Sequence, residues 1–115
     1  MKFTSSLNKN HEFKRLYNRG KSLAAPSVAI YFRRNGTTEN RLGITVSTKI
    51  GGAVVRNRIR RRFKEIYRLN EDKLQKGFDV VIVARMKSRF MRYRDLESAV
   101  LLLLKKLKLT EVQDK

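Results

Sequence analysis

The sequence predicts a single α+β domain whose helices and strands follow in the order αββαβα. Three observations predict it. The chain has 115 residues, room for one hydrophobic core of the usual ~100–200 residues and not for two. Apolar residues recur at helical spacing in three segments and alternate with a period of two in two others. A further short run is apolar on both faces, as in a strand inside a covered sheet.

The first helix is expected over residues 10–19, with Asn10 as N-cap, Glu12 in the first turn, Arg19 in the last and Gly20 as the stop. Phe13, Leu16 and Tyr17 stand at i, i+3 and i+4 and share a face. Residues 27–32 alternate, with Val28, Ile30 and Phe32 on one side and Ser27, Ala29 and Tyr31 on the other. A turn signal at Arg34-Asn35-Gly36-Thr37-Thr38 leads to a second alternating segment over 41–48, with Leu42, Ile44 and Val46 apolar. The pair reads as a β-hairpin. Gly51-Gly52 punctuates the chain before a long helix over 53–69, and Gly77 introduces a strand over 78–84 with the run Val80-Val81-Ile82-Val83. A last helix over 94–109 carries a broad apolar face of Leu96, Val100, Leu103, Leu104 and Leu107. The run from Val100 to Leu104 is core or helix-packing surface, kept wet at its end by Lys105 and Lys106.

Charge is the first functional signal. Twenty-eight Lys and Arg against ten Asp and Glu leave +18 and a pI near 11.0. Such self-repulsion burdens the compact state, and a polyanionic partner answers it through counterion release. Nucleic acid is the leading partner. A membrane is not expected: no apolar run approaches the ~20 residues of a span, and there is no signal-peptide core. Met1-Lys2-Phe3-Thr4-Ser5 lacks a myristoylation glycine and Asp114-Lys115 lacks a prenylation cysteine, so the reading is cytoplasmic. With no cysteine and His11 as the single imidazole, disulfides, thiolate sites and paired-histidine catalysis are excluded. His11 itself reads as a surface or capping residue.

The segment 53–68 is the most informative. Val55, Ile59, Phe63, Ile66 and Tyr67 gather within about one third of the helix circumference as a core-facing stripe. Asn57, Arg58, Arg61, Lys64, Glu65 and Arg68 lie opposite, with Arg56, Arg60 and Arg62 flanking. Seven of the thirteen residues from Arg56 to Arg68 are cationic and one is acidic. A basic face can be merely solvated. Unanswered like charges, however, repel at ~0.2–0.5 kcal/mol per adjacent pair, a cost that a bound polyanion removes. The excess of Arg over Lys suits phosphate and unpaired bases, hence structured RNA. Gly51-Gly52 is a turn and not a phosphate cradle, since no P-loop lysine and serine follow.

The run Ala53-Val54-Val55-Arg56-Asn57-Arg58-Ile59-Arg60-Arg61 followed by Glu65 resembles the signature of the bacterial ribonuclease P protein. The resemblance extends to Asn10-His11-Glu12-Phe13 through Tyr17 and Gly20, to Arg41-Leu42-Gly43-Ile44-Thr45-Val46-Ser47, and to Gly77-Phe78-Asp79-Val80-Val81 through Arg85. Lys64 stands where that family often has Arg, and Arg62 where it often has a large apolar residue. The resemblance implies a two-layer sandwich on a small mixed sheet. It also implies a left-handed βαβ crossover, against the general right-handed rule.

It further implies a division of labour. The RNA subunit hydrolyses precursor tRNA with bound Mg²⁺, and the protein, a monomer paired with one RNA, binds that RNA and the 5′ leader. Arg56, Asn57, Arg58, Arg60, Arg61, Lys64 and Arg68 become the contacts to the RNA subunit. Phe13, Tyr17 and Tyr31 match the family's leader-binding cleft. Without the resemblance, an aromatic pair at i, i+4 is more often core than binding platform. The ten carboxylates form no metal motif and no catalytic residue is assigned, so the protein alone is expected to be inactive. Direct protein ligands to a metal stay open. The rivals are a small ribosomal or chromosomal protein, a free-standing ribonuclease, for which His11 offers no partner, and a cationic membrane-active protein.

Overall fold

The computed structural model describes residues 1–110. Its elements are β1 (Thr4–Ser6), α1 (Asn10–Arg19), β2 (Lys21–Ala24), β3 (Val28–Arg34), β4 (Asn40–Thr45), α2 (Ala53–Asn70), β5 (Phe78–Ala84) and α3 (Tyr93–Lys106). Short 3-10 turns fall at Thr48–Ile50, Glu71–Lys73 and Met86–Phe90.

The three expected helices and three expected strands are all present, and two edge strands join them. The five strands stand in the order β1-β4-β5-β3-β2. β1 and β2 are three and four residues long and mostly exposed, so neither shows the alternation that marks a half-buried strand. β3 and β4 do not form the expected hairpin. β5 lies between them, antiparallel to β3 from Val28↔Ala84 to Arg34↔Phe78 and parallel to β4 from Arg41↔Asp79 to Thr45↔Val83. The reason is the two-sided apolar character of β5: Val80, Ile82 and Ala84 are buried toward one face and Val81 toward the other, which only a central strand achieves. The parallel neighbours β4 and β5 are joined through α2, a βαβ unit.

The main core sits on one face of the sheet. Val28, Ile30 and Phe32 of β3, Leu42 of β4 and Val80 and Ile82 of β5 meet Ile59, Phe63, Ile66 and Tyr67 of α2 and Leu96, Val100, Leu103 and Leu104 of α3. α1 crosses the opposite face over a smaller cluster of Leu7, Leu16 and Val81, with Phe13, Tyr31 and Val83 partly buried beside them. Burying Leu16 contributes about 1.5–3 kcal/mol toward holding α1 there. α1 begins at Asn10, so Lys9 and not Asn10 occupies the cap position, and no side chain caps it. The helix stops at Gly20, whose N–H donates to the Leu16 carbonyl at 2.9 Å. A Cβ there would lie 2.6 Å from the Leu16 oxygen and 2.9 Å from that of Phe32, so the stop also admits the close approach of β3. α3 ends three residues earlier than expected, at Lys106. Lys108 adopts φ 61° and returns buried Leu109 to the core, its N–H donating to the Leu104 carbonyl at 2.9 Å.

Candidate nucleic-acid interface

α2 starts from a built turn. The Ser47 hydroxyl accepts from the Lys49 N–H at 3.1 Å, the Arg56 N–H donates to the Gly52 carbonyl at 3.0 Å, and the Arg56 Nε donates to the Gly51 carbonyl at 3.1 Å. From there the buried stripe Ile59, Phe63, Ile66 and Tyr67 fixes the rotation of the helix, because any other setting would expose it. Asn57, Arg58, Arg61, Lys64 and Arg68 consequently face solvent, with Arg56 and Arg60 half-buried at the margin. Among the described residues, Arg58, Arg61 and Lys64 make no ion pair. Arg60 donates to the Asn57 side-chain oxygen at 3.1 Å.

Arg68 differs from the others. Its Nε and Nη2 donate to the two Glu65 oxygens at 2.9 and 2.7 Å, and this bidentate bond pulls the Glu65 carboxyl below its usual range. Arg68 is thus already engaged, while the other predicted contacts leave an open cationic arc. Arg62 lies half-buried and donates to the Met91 carbonyl at 3.2 Å. Its charge serves to tie α2 to the turn that follows β5.

The three predicted aromatics come together on the other face. Tyr17 and Tyr31 meet edge to face with centroids 5.0 Å apart, and Phe13 lies tilted to Tyr17 at 6.5 Å. Phe13 and Tyr31 are partly buried, whereas Tyr17 is 40% exposed and shares a hydrogen bond between its hydroxyl and that of Thr45 at 3.1 Å. The Phe13 ring packs on the small cluster and also lines an open groove beside β1. Gly43 makes this seating possible, since a Cβ there would lie 2.6 Å from the Phe13 ring.

An ion cluster sets the position of α1. Arg41 on β4 forks onto Asp79 of β5, Nε to Oδ1 at 2.8 Å and Nη2 to Oδ2 at 2.6 Å, while its Nη1 donates to Glu12 of α1. The Asn35 amide also donates to Asp79 at 3.1 Å. The Asp79 hydrogen bond, with help from Glu12 and against partial burial, raises the Arg41 guanidinium above its ordinary value, so the cation persists at any working pH. Arg41 and Asp79 stand in the runs that carry the family resemblance, but the sequence assigns neither a role in the site. Their partners lie 29 and 38 positions apart, and no local spacing signals such pairs.

The helical and aromatic surfaces meet around the β1 edge. A groove of about 630 Å³ runs there, lined by Ser5, Ser6 and Phe13 and also by Arg60 and Lys64. Among the described residues no three of His, Cys, Asp and Glu lie close enough to hold a metal ion, and no helix is long and apolar enough to cross a membrane.

Known proteins match this chain in sequence and in fold. A family model described as Ribonuclease P matches residues 1–108. The chain is 43% identical over 109 residues to the ribonuclease P protein component of Alkaliphilus oremlandii, covering 95% of this chain and 96% of that one. To its counterpart in Clostridium botulinum strain Langeland it is 46% identical over 103 residues, 89% and 93% of the two chains. The Staphylococcus aureus RNase P protein structure superposes with a TM-score of 0.85 at 30% identity, over 92% of this chain and 97% of that one. The Thermotoga maritima RNase P protein gives 0.82 at 34%, over 89% and 96%. Sequence and fold agree, and the chain belongs to the ribonuclease P protein family.

Proposed function

We propose that the chain is the protein subunit of ribonuclease P, a cytosolic monomer that pairs with one ribonuclease P RNA. In this reading the exposed arc of Asn57, Arg58, Arg61 and Lys64, with Arg56 and Arg60 at its margin, binds phosphates of the RNA subunit. Arg68 joins by exchanging Glu65 for a phosphate. Phe13, Tyr17 and Tyr31 form the wall on which the single-stranded 5′ leader of precursor tRNA stacks, a contact that tolerates any base. Catalytic magnesium would be held by the RNA subunit and would supply the activation of water there. Among the described residues the carboxylates form no cluster that fits a site of their own, and no step runs through them. The chain's part is to neutralise phosphate repulsion and to hold the leader, so the protein alone is inactive and the RNA carries out the hydrolysis.

The observation that carries this reading is the cationic arc itself, unpaired among the described residues and fixed outward by a buried stripe. Its test is the salt dependence of binding to ribonuclease P RNA. Each phosphate contact contributes about one to the slope of log K against log salt, so the double variant Arg58→Ala/Arg61→Ala lowers the slope by about two. Both residues are exposed, and the far-UV circular dichroism stays unchanged. An unaltered slope would mean that this face is only solvated.

A further inference from the structure

The segment after β5 presents an aromatic ring that the two surfaces above do not use. Phe90 is 76% exposed, yet the backbone on both sides of it is pinned. Ser88 is fully buried, its hydroxyl donating to the Arg85 carbonyl at 2.7 Å, and Met91 beyond Phe90 packs against the main core. The ring is thus held outward by a fixed turn and not by a loose loop, so a ligand that stacks on it has little order to impose.

Its surroundings are cationic. Arg85, Lys87, Arg89 and Arg92 are four of the eight residues from 85 to 92, all exposed, and no acidic residue falls among them. The Arg89 guanidinium lies 5.6 Å from the Phe90 ring centroid, covering one side of it. An exposed aromatic among cations suits a nucleobase with its flanking phosphates. A protein partner with an apolar docking patch would not call for four positive charges.

The turn is also continuous with α2. Arg89 Nη1 donates to the Ile50 carbonyl at 3.0 Å, just before the helix begins, and Arg62 of the helix donates to the Met91 carbonyl at 3.2 Å. We infer that Phe90 is a stacking platform for an unpaired base of ribonuclease P RNA, extending the α2 face across the turn at Met86–Phe90. The inference rests on the reading of α2 as the RNA-subunit face, and continuity with that face selects the RNA subunit over the precursor.

The chain contains no tryptophan, so Phe90→Trp introduces a single indole at the site, which can be excited apart from the four tyrosines. Titrated with ribonuclease P RNA, its emission is expected to be quenched with the same midpoint as binding measured by filter retention. Leu102→Trp, on the exposed side of α3, is expected to show no change. Phe90→Ala should weaken RNA-subunit affinity about tenfold, in the range of one lost stacked base, and Phe90→Tyr should restore it. Unchanged emission of the Phe90→Trp variant while filter retention shows the RNA bound would overturn the platform and leave the α2 reading standing. Quenching by precursor tRNA but not by the RNA subunit would overturn the assignment of partner. Absence of any binding to the RNA subunit would overturn both readings together.

Discussion

Replacing Arg41 by alanine tests how α1 is held over the sheet. The guanidinium makes three charge-assisted hydrogen bonds, two to Asp79 and one to Glu12. The two carboxylate side chains are 13% and 14% exposed and the Arg41 side chain is 35% exposed. Removing one partner of a fully buried pair costs about 3–5 kcal/mol, whereas an exposed pair contributes about 0.2–1 kcal/mol. Solvent reaches the guanidinium, and Asp79 keeps the bond from Asn35, so the cost lies between these limits at about 2 kcal/mol. With a urea m-value of about 1.5 kcal/mol/M, the unfolding midpoint of Arg41→Ala falls by about 1.3 M at neutral pH while the slope is unchanged. Most of the loss comes from the stranded carboxylates, so adding Asp79→Asn to Arg41→Ala recovers part of it. A loss under about 0.5 kcal/mol, or a further loss on adding Asp79→Asn, would refute the reasoning.

Three further outcomes are expected. Burial works to raise the Glu71 carboxyl, but the Thr4 hydroxyl and the Lys2 and Phe3 N–H groups outweigh it and hold it below its ordinary value near 4.5. A lowered folded value gives stability that is full above pH 4.5 and is lost as pH falls through the folded value. Thermal melts of Glu71→Gln should therefore converge on those of the unaltered protein in acid and diverge at neutral pH; parallel curves would contradict this. Gly43→Ala should push the Phe13 ring out of its seat and, like Phe13→Ala, weaken binding of leader-bearing precursor more than of mature tRNA, as measured on the assembled ribonucleoprotein. Equal losses on both would return Phe13 to a purely packing role. Gly77→Ala, at φ 93° and with its Cβ 2.7 Å from the Thr37 carbonyl oxygen, should cost about 2 kcal/mol in urea unfolding, and a neutral result would show that the turn relaxes freely.

What could be read from the sequence follows the strength of each local pattern. α2 and β5 declare themselves because a helical stripe of five apolar residues and a run of four on both strand faces have few other uses. β1 and β2 do not, since a short edge strand buries almost nothing and leaves no alternation. The hairpin expectation failed for a related reason. Adjacent alternating strands usually pair, and only the demand of β5 for a covered place on both sides inserts it between them. Among the site residues, the bond of Arg68 to Glu65 was not anticipated, although an acid three positions back on the same helix face could have signalled it. The Arg41 cluster had no such signal, because it joins three elements distant in sequence.

The central claim is that this protein serves an RNA catalyst, and reconstitution tests it most directly. The purified chain is mixed with ribonuclease P RNA and a precursor tRNA at low Mg²⁺, beside protein-only and RNA-only controls. Cleavage at the mature 5′ end is expected only when protein and RNA are both present, because the cations of α2 offset phosphate repulsion that the scarce metal leaves unscreened. Cleavage by the protein alone, or no enhancement over the RNA at any Mg²⁺ concentration, would contradict it.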